Sequence, residues 1–352
     1  MLKQKHPLGK LIFFIALELF VIFCVVWYFD PFYQYHAPLG DKKAVLYDRD
    51  NQVVGTVRNF SYDSVLMGSS VAENFDSSYL DERYGCLTIK VIKASGSLAD
   101  LLYYLDMAHE KQELKNVFWC LDMFALEASP KPTIPEGVSP PAYLRTETLL
   151  DDIPYLYNKE ILLEKIPLQF TYASLDKNTG GNAYNWAEEK EFGASKAKQV
   201  YFKPEKAKSP QDFTEAKENL EKNLALLAQE IAANPDTAYR FILPPYSLLW
   251  WDAAYVNGEL DKNFYLLEQT LPALLTFDNV EVYYFQSEKD IVCDLDNYMD
   301  MIHYSPEINQ YMFEQLGRET YRVTKENCAE KIAEMKMLAK EITDSYIYEY
   351  YD

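Results

Sequence analysis

Residues 63–70 read DSVLMGSS: a short apolar run that stops at Gly68 and hands over to Ser69 and Ser70. A strand covered on both faces by helices has no polar alternation, so this is the pattern expected of a buried parallel strand. Four more runs resemble it: CLTIKVIKASG (86–96), NVFWCLDM (116–123), TAYRFILPPY (237–246) and NVEVYYF (279–285). Helical patterns alternate with them. SLADLLYYLDMAHEK (97–111) opens on Ser97 with Asp100 three residues on, a capping-box spacing. Residues 212–233 are amphipathic with Glu/Lys pairs on the outer side. Further helices are expected around 263–275, 306–316 and 325–344. Strands alternating with helices predict an α/β protein: three layers, α/β/α, around a five-stranded, mainly parallel sheet.

The chain is 352 residues with 34 Lys+Arg against 54 Asp+Glu, a net charge of −20. That acidity excludes nucleic acid as a partner, since a polyanion is held by basic residues. The 49% apolar content is enough for a sizeable core and excludes general disorder. The five cysteines show no CxxC and no Cys/His spacing, which excludes a zinc ribbon or a thioredoxin-like motif. With four histidines, a multi-histidine metal site is not expected. No GxGxxG or P-loop pattern occurs.

The amino terminus is a separate object. LIFFIALELFVIFCVVWY (11–28) carries one charge, Glu18, and is long enough to cross a bilayer. Lys3, Lys5 and Lys10 precede it and no basic residue follows until Lys42, so the expected topology is cytoplasmic amino terminus and extracytoplasmic remainder. An aromatic cluster, Trp27 to Tyr35, suits the outer membrane–water boundary. No small-residue cleavage site follows, which argues against a removed leader, and Cys24 lies in no lipid-attachment motif. Glu18 in mid-span is costly if ionised and suggests a membrane partner. Residues 1–28 hold three of the lysines and one glutamate, so the remaining chain carries −22. Its four cysteines are open to two readings, disulfides or buried thiols.

The expected organisation is a cytoplasmic tail (1–10), the membrane helix (11–28), a juxtamembrane stem with short strands (29–60), and an extracytoplasmic domain (61–352) with a helical and loop insertion at about 125–235.

In parallel sheets, functional residues gather at the carboxyl ends of strands. The first strand ends in Ser69 and Ser70, the second in Gly96, the third near Asp122, and after the fifth comes DMIHYSPEINQYM, with Asp300 and His303 as D-x-x-H. A serine becomes a nucleophile beside a base that an acid orients. Ser70, His303 and Asp300 supply these types at one end of the sheet. Tyr246 and Ser247, after two prolines, are placed to line the same face along with Ser69 and Asp122. Plain structural roles compete: GSS as a turn, His303 before a helix start at Ser305-Pro306, and Asp122 as a loop anchor. Tyr184 and Trp186, in a glycine-bearing loop, are either a sugar-stacking pair or loop anchors.

GSS after the first strand, a glycine after the second and the late DxxH resemble the SGNH (GDSL-type) hydrolase superfamily, of flavodoxin-like architecture. The likeness leans toward its membrane-anchored bacterial branch, which includes teichoic-acid D-alanylation and polysaccharide O-acetylation proteins. It spans about residues 60–320. The resemblance implies Ser70 as nucleophile, His303 as base, Asp300 as its orienter, and the amides of Ser70 and Gly96 as oxyanion donors. It implies no metal or organic cofactor, a cell-surface glycan or other acylated substrate, and esterase or acyltransferase activity. Two positions depart from the family pattern: Ser69 replaces the aspartate of GDS, and WCLDM brings Asp122 where an oxyanion asparagine is expected. An anion there opposes a developing oxyanion, and one missing donor costs about 10²–10³ in rate. The alternative reading is therefore an inactive binding or assembly subunit of a polysaccharide-modifying complex.

Overall fold

The computed structural model describes residues 7–137, 139–146 and 148–351. Lys3 and Lys5, on which the expected topology partly rests, lie outside the described residues. The chain divides into two compact units. The described residues up to Phe60 join Ile134–Gly180 in the first, and Ser61–Thr133 joins Gly181–Asp352 in the second.

The first unit begins with the helix Pro7–Phe29. Among the described residues it is the one helix long and apolar enough to cross a membrane, and Glu18 is exposed on it. Asp30 ends it. With φ at +37°, its carboxylate accepts the amides of Gln34, Tyr35 and His36 at 2.9, 2.7 and 3.1 Å and the Tyr155 hydroxyl at 2.7 Å. Beyond this knot, Val26 and Phe32 share a buried cluster with Leu144, Tyr155, Leu156 and Ile161. Residues 134–180, expected within an insertion of the second unit, thus group with the stem because their apolar side chains close over the end of the first helix. The stem is not built of short strands either. It holds the helix Arg49–Asn59, whose three valines and glycine mask its helical character. Gln52 ties its start by accepting the amides of Tyr47 and Asp48, both at 2.8 Å.

The second unit holds a six-stranded sheet. Its strands are β1 (Ser64–Gly68), β2 (Thr88–Ile92), β3 (Asn116–Cys120), β4 (Ala238–Leu243), β5 (Val280–Tyr284) and β6 (Arg322–Val323). The spatial order is β2-β1-β3-β4-β5-β6. All pairs are parallel except β5–β6. The expected five strands become six because a two-residue edge strand leaves no periodic trace in sequence. Every residue of β1, β2 and β3 is buried, Lys90 of β2 included, as a sheet covered on both faces requires.

Right-handed crossovers that leave β1 toward β2 and then return toward β3 and β4 place helices on both faces. On one face Ser78–Tyr84, with Phe75 just ahead of it, meets Pro306–Gln315 through the Phe75–Phe313 and Tyr79–Phe313 rings, 4.3 and 6.0 Å apart. On the other, Thr214–Ala233 packs against Leu98–Lys111 and Leu260–Leu274. The capping box at Ser97 forms as its spacing indicates: the Ser97 hydroxyl accepts the Asp100 amide at 3.0 Å, and the Asp100 carboxylate accepts the Ser97 amide at 3.3 Å. Such a cap contributes about 1 kcal/mol. The apolar helix Leu248–Asn257, stopped by Gly258 at φ +74°, escaped the pattern because it is hydrophobic on all sides. All five cysteines are free thiols.

Candidate active site

The chain reverses its direction of winding between β1 and β3, so the crevice above their carboxyl ends is the switch point where α/β sheets carry their sites. Gly68 lets β1 come that close. A Cβ there would lie 2.8 Å from the Cys120 carbonyl oxygen and 2.9 Å from Ala72. The chain then turns into a single 3-10 turn, Ser70–Ala72. That turn lifts the Ser70 hydroxyl out of the sheet. Its amide, at the start of the turn, donates to no protein group among the described residues.

Three side chains distant in sequence meet here. Ser70 Oγ lies 2.8 Å from His303 Nε2. His303 Nδ1 lies 2.6 Å from Asp300 Oδ2. The other Asp300 oxygen accepts the amides of Ile302 and His303, each at 2.8 Å. Partial burial raises the Asp300 carboxyl, but the imidazole and the two amides outweigh it and hold the group below its usual value. With Nδ1–H donated to Asp300, Nε2 is left as the acceptor for the serine proton. This is the nucleophile–base–orienter geometry. His303 and Asp300 keep about a fifth of their side-chain surface exposed, so the pair is reached by solvent.

The loop holding the base is closed on itself and tied down. The Met299 amide donates to the His303 carbonyl at 3.0 Å and the Ser305 amide to the Asn297 carbonyl at 2.8 Å. Ser247 donates both its amide and its hydroxyl to the Met301 carbonyl, at 3.0 and 2.8 Å. Ser247 is completely buried and Tyr246 nearly so. They do not line the site, as the sequence suggests, but brace it from behind, because the two prolines turn them inward.

Asp122 and Ser69 are corrected in the same way. Asp122 is 1% exposed, and its carboxylate is taken up by neighbouring donors. It accepts the Tyr246 hydroxyl at 2.6 Å and both the hydroxyl and the amide of Ser69. Burial raises its carboxyl, against the opposing pull of Ser69, Tyr246 and the nearby imidazole. Asp122 thus anchors the residue just before Ser70. Gly96 is also corrected: its amide donates to the Lys93 carbonyl at 2.8 Å, closing a turn in which Ser95 sits at φ +50°. It is spent within that turn, so of the two amides expected from sequence as oxyanion donors only that of Ser70 stays uncommitted among the described residues.

Sequence reasoning missed Tyr304 and singled out Trp186 only as a sugar-stacking or anchoring ring. Tyr304, next to the base, is buried and bonded to the nucleophile turn; one tyrosine among 29 carries no signal of that. Trp186 stands edge-on to His303, ring centroids 5.4 Å apart, and stacks on Phe192 at 6.3 Å. Trp186 walls one side of the imidazole, and Phe192 backs Trp186. Tyr184 is 4% exposed and anchors the loop rather than offering a platform. Among the described residues no group of three or more His, Cys, Asp or Glu side chains is arranged to hold a metal ion.

No protein-family model matches the chain, and no curated protein matches it. Among solved structures it is similar to one described as "a putative platelet activating factor from Streptococcus pneumonia", at 11% identity and a TM-score of 0.38, over 76% of this chain and 89% of that one.

Proposed function

We propose that this chain is a membrane-anchored serine esterase or acyltransferase of SGNH type, acting outside the cytoplasm on small acyl esters of cell-surface glycans. The observation that carries it is the continuous relay from Ser70 through His303 to Asp300, at 2.8 and 2.6 Å. Ser70 Oγ attacks the ester carbonyl while His303 Nε2 takes its proton. The Ser70 amide donates to the oxygen that becomes negative. The alcohol leaves with the proton from His303, and the acyl group stays on Ser70. Water or an acceptor hydroxyl, deprotonated by His303, then attacks the acyl-serine and returns the enzyme. Asp300 holds the imidazole in the tautomer this needs and stabilises its positive form. Transfer to a glycan hydroxyl, rather than hydrolysis, draws on the family resemblance and on the anchoring helix. That helix, Pro7–Phe29, would cross the membrane with its amino terminus in the cytoplasm, and Glu18 would meet a membrane partner.

The test is covalent labelling with a fluorophosphonate. Wild type takes up one label, Ser70→Ala takes up none, and His303→Ala labels at least about 10³-fold more slowly. Equal labelling of wild type and Ser70→Ala would sink the nucleophile assignment.

A second reading rests on Gly96. Its amide is occupied by Lys93, so the oxyanion site is short of a donor, and the unit would serve as a binding or assembly subunit of a polysaccharide-modifying complex. Normal function of a Ser70→Ala variant in cells, together with co-purification of a multi-span partner, would favour it.

A further inference from the structure

We infer that the first unit holds one acidic phospholipid of the outer leaflet, its acyl chain in a cavity at the end of the apolar helix and its phosphate on Lys42. The inference rests on the proposed insertion of Leu8–Phe29 but not on any catalytic role. A cavity of about 170 Å³ opens between the last turn of that helix, the segment after it and residues 169–173. Its walls include Phe29, Tyr33, Leu39, Val45 and Phe170, with Phe29 and Phe170 edge-to-face at 5.0 Å. A largely apolar space of this size takes a benzene-sized body, which is a short stretch of one acyl chain and not a whole lipid.

The rim supplies the charge. Lys42 is exposed and its ammonium stands 3.8 Å from the centre of the Tyr28 ring. The ring face fixes the cation beside the cavity mouth while its N–H groups still reach solvent. Lys43 beside it is already paired with Asp176 at 2.7 Å, so Lys42 is the group left to receive a phosphate. The chain beyond residue 28 carries −22 and has little general attraction to an acidic surface, which makes a specific cation at this level informative.

The same unit exposes apolar side chains that water does not favour. Leu149, Leu150, Leu163, Phe170 and Leu175 are each between 53% and 75% exposed. The helices bearing Tyr155, Leu156, Ile161 and Ile166 close over Val26 and Phe32 at the end of the apolar helix. A monomer in water seldom carries so much apolar surface beside a long apolar helix. A bilayer boundary accounts for both the exposed leucines and the cavity that continues from the helix.

The full chain is reconstituted into nanodiscs of equal phosphatidylglycerol and phosphatidylcholine, and retained lipids are read by native mass spectrometry. Wild type is expected to keep one phosphatidylglycerol, about fivefold enriched over phosphatidylcholine, whose choline cation cancels the phosphate charge that a single lysine meets. Lys42→Glu removes the enrichment. Ala173→Trp, at an exposed cavity-lining position, reduces retention of both lipids. Lys10→Glu, at the other end of the helix, changes nothing. Equal retention of the two lipids by wild type, or enrichment untouched by Lys42→Glu, overturns the site. Displacement of the lipid by inorganic phosphate alone overturns the lipid as its source. Failure of the chain to enter nanodiscs, seen by size exclusion, removes the insertion reading and this inference together, whereas entry without selective retention removes this inference alone.

Discussion

The hydroxyl of Tyr304 donates to the carbonyl of Val71 at 3.2 Å. The segment that carries the base is thereby bonded to the turn that carries the serine, across 233 residues of sequence. The relay distance is set by this bond as well as by the relay itself. In Tyr304→Phe the ring still fills its buried place, but the Val71 carbonyl loses its donor. The expected cost in stability is about 1 kcal/mol. The larger effect is on labelling, because a shift of about 1 Å between nucleophile and base lowers the rate by about 10²-fold. Labelling kinetics beside a thermal melt check this. An unchanged rate with lowered melting would mean that Tyr304 serves packing alone.

Asp300→Asn separates orientation from charge. The amide side chain can still accept the Ile302 and His303 amides, so the loop keeps its shape. Its nitrogen, turned to His303 Nδ1, would favour the tautomer with the proton on Nε2, which cannot take the proton of Ser70. The labelling rate is expected to fall by about 10⁴-fold with little change in melting. There is also a pH consequence. The Asp300 carboxyl is held below its usual value, so its contribution to stability is present above the unfolded-state value and disappears as pH falls through the lower folded one. Wild type should lose more stability than Asp300→Asn on acidification below the usual carboxylate range, as denaturant midpoints at several pH values would show.

Lys90 gives a pH dependence of the same sign, but in the alkaline range. It is 1% exposed on β2 and its Nζ donates to the carbonyls of Glu73 and Ala183 at 2.8 and 2.7 Å. It therefore joins the chain just after the nucleophile turn to the loop that leads to Trp186. Burial lowers its ammonium from 10.5 to about 7. Between those two values the unfolded chain binds a proton that the folded one does not, so stability rises with pH from about 7 to about 10.5. A difference of this size amounts to a few kcal/mol at the alkaline end. Lys90→Met should flatten that rise while keeping the apolar stem in place. A wild-type curve that is flat over the same range would show that the lysine stays charged.

How far the sequence could reach follows from what each residue type reveals by itself. The parallel sheet was legible because β1, β3 and β5 are apolar runs bounded by small or turn residues. Ser70, Asp300 and His303 were legible because few residues combine that chemistry with a place at a strand end, and the structure brings all three together. Gly96 was placed by type alone, and a glycine says nothing about where its amide points; the turn with Ser95 decides that. Asp122 looked like an obstacle to catalysis because burial and the Ser69 and Tyr246 donors are tertiary facts. Nothing in TIKVI shows that Lys90 is covered; the loop around Ala183, whose carbonyl accepts its ammonium at 2.7 Å, does that. Residues 134–180 are separated from the stem by more than seventy residues, and only their shared cluster with Val26 and Phe32 joins them.

Gly68→Ala tests whether the close approach of β1 and β3 is needed for the site. The added methyl would meet a backbone oxygen, Cys120 O at 2.8 Å, and the Ala72 methyl at 2.9 Å. Neither is the movable end of a long side chain. Cys120 lies in β3, paired on its other side with Ile242 of β4, so it cannot retreat cheaply. The strain therefore falls on the turn Ser70–Ala72. Overpacking of this kind costs about 1–3 kcal/mol, and a displaced turn should slow labelling about 10²-fold. Ala72→Gly in the same chain removes one of the two clashing partners, so the double variant should recover part of the labelling rate while melting stays low. If Gly68→Ala labels like wild type, the strands have separated without moving Ser70, and the approach of β1 to β3 serves packing alone.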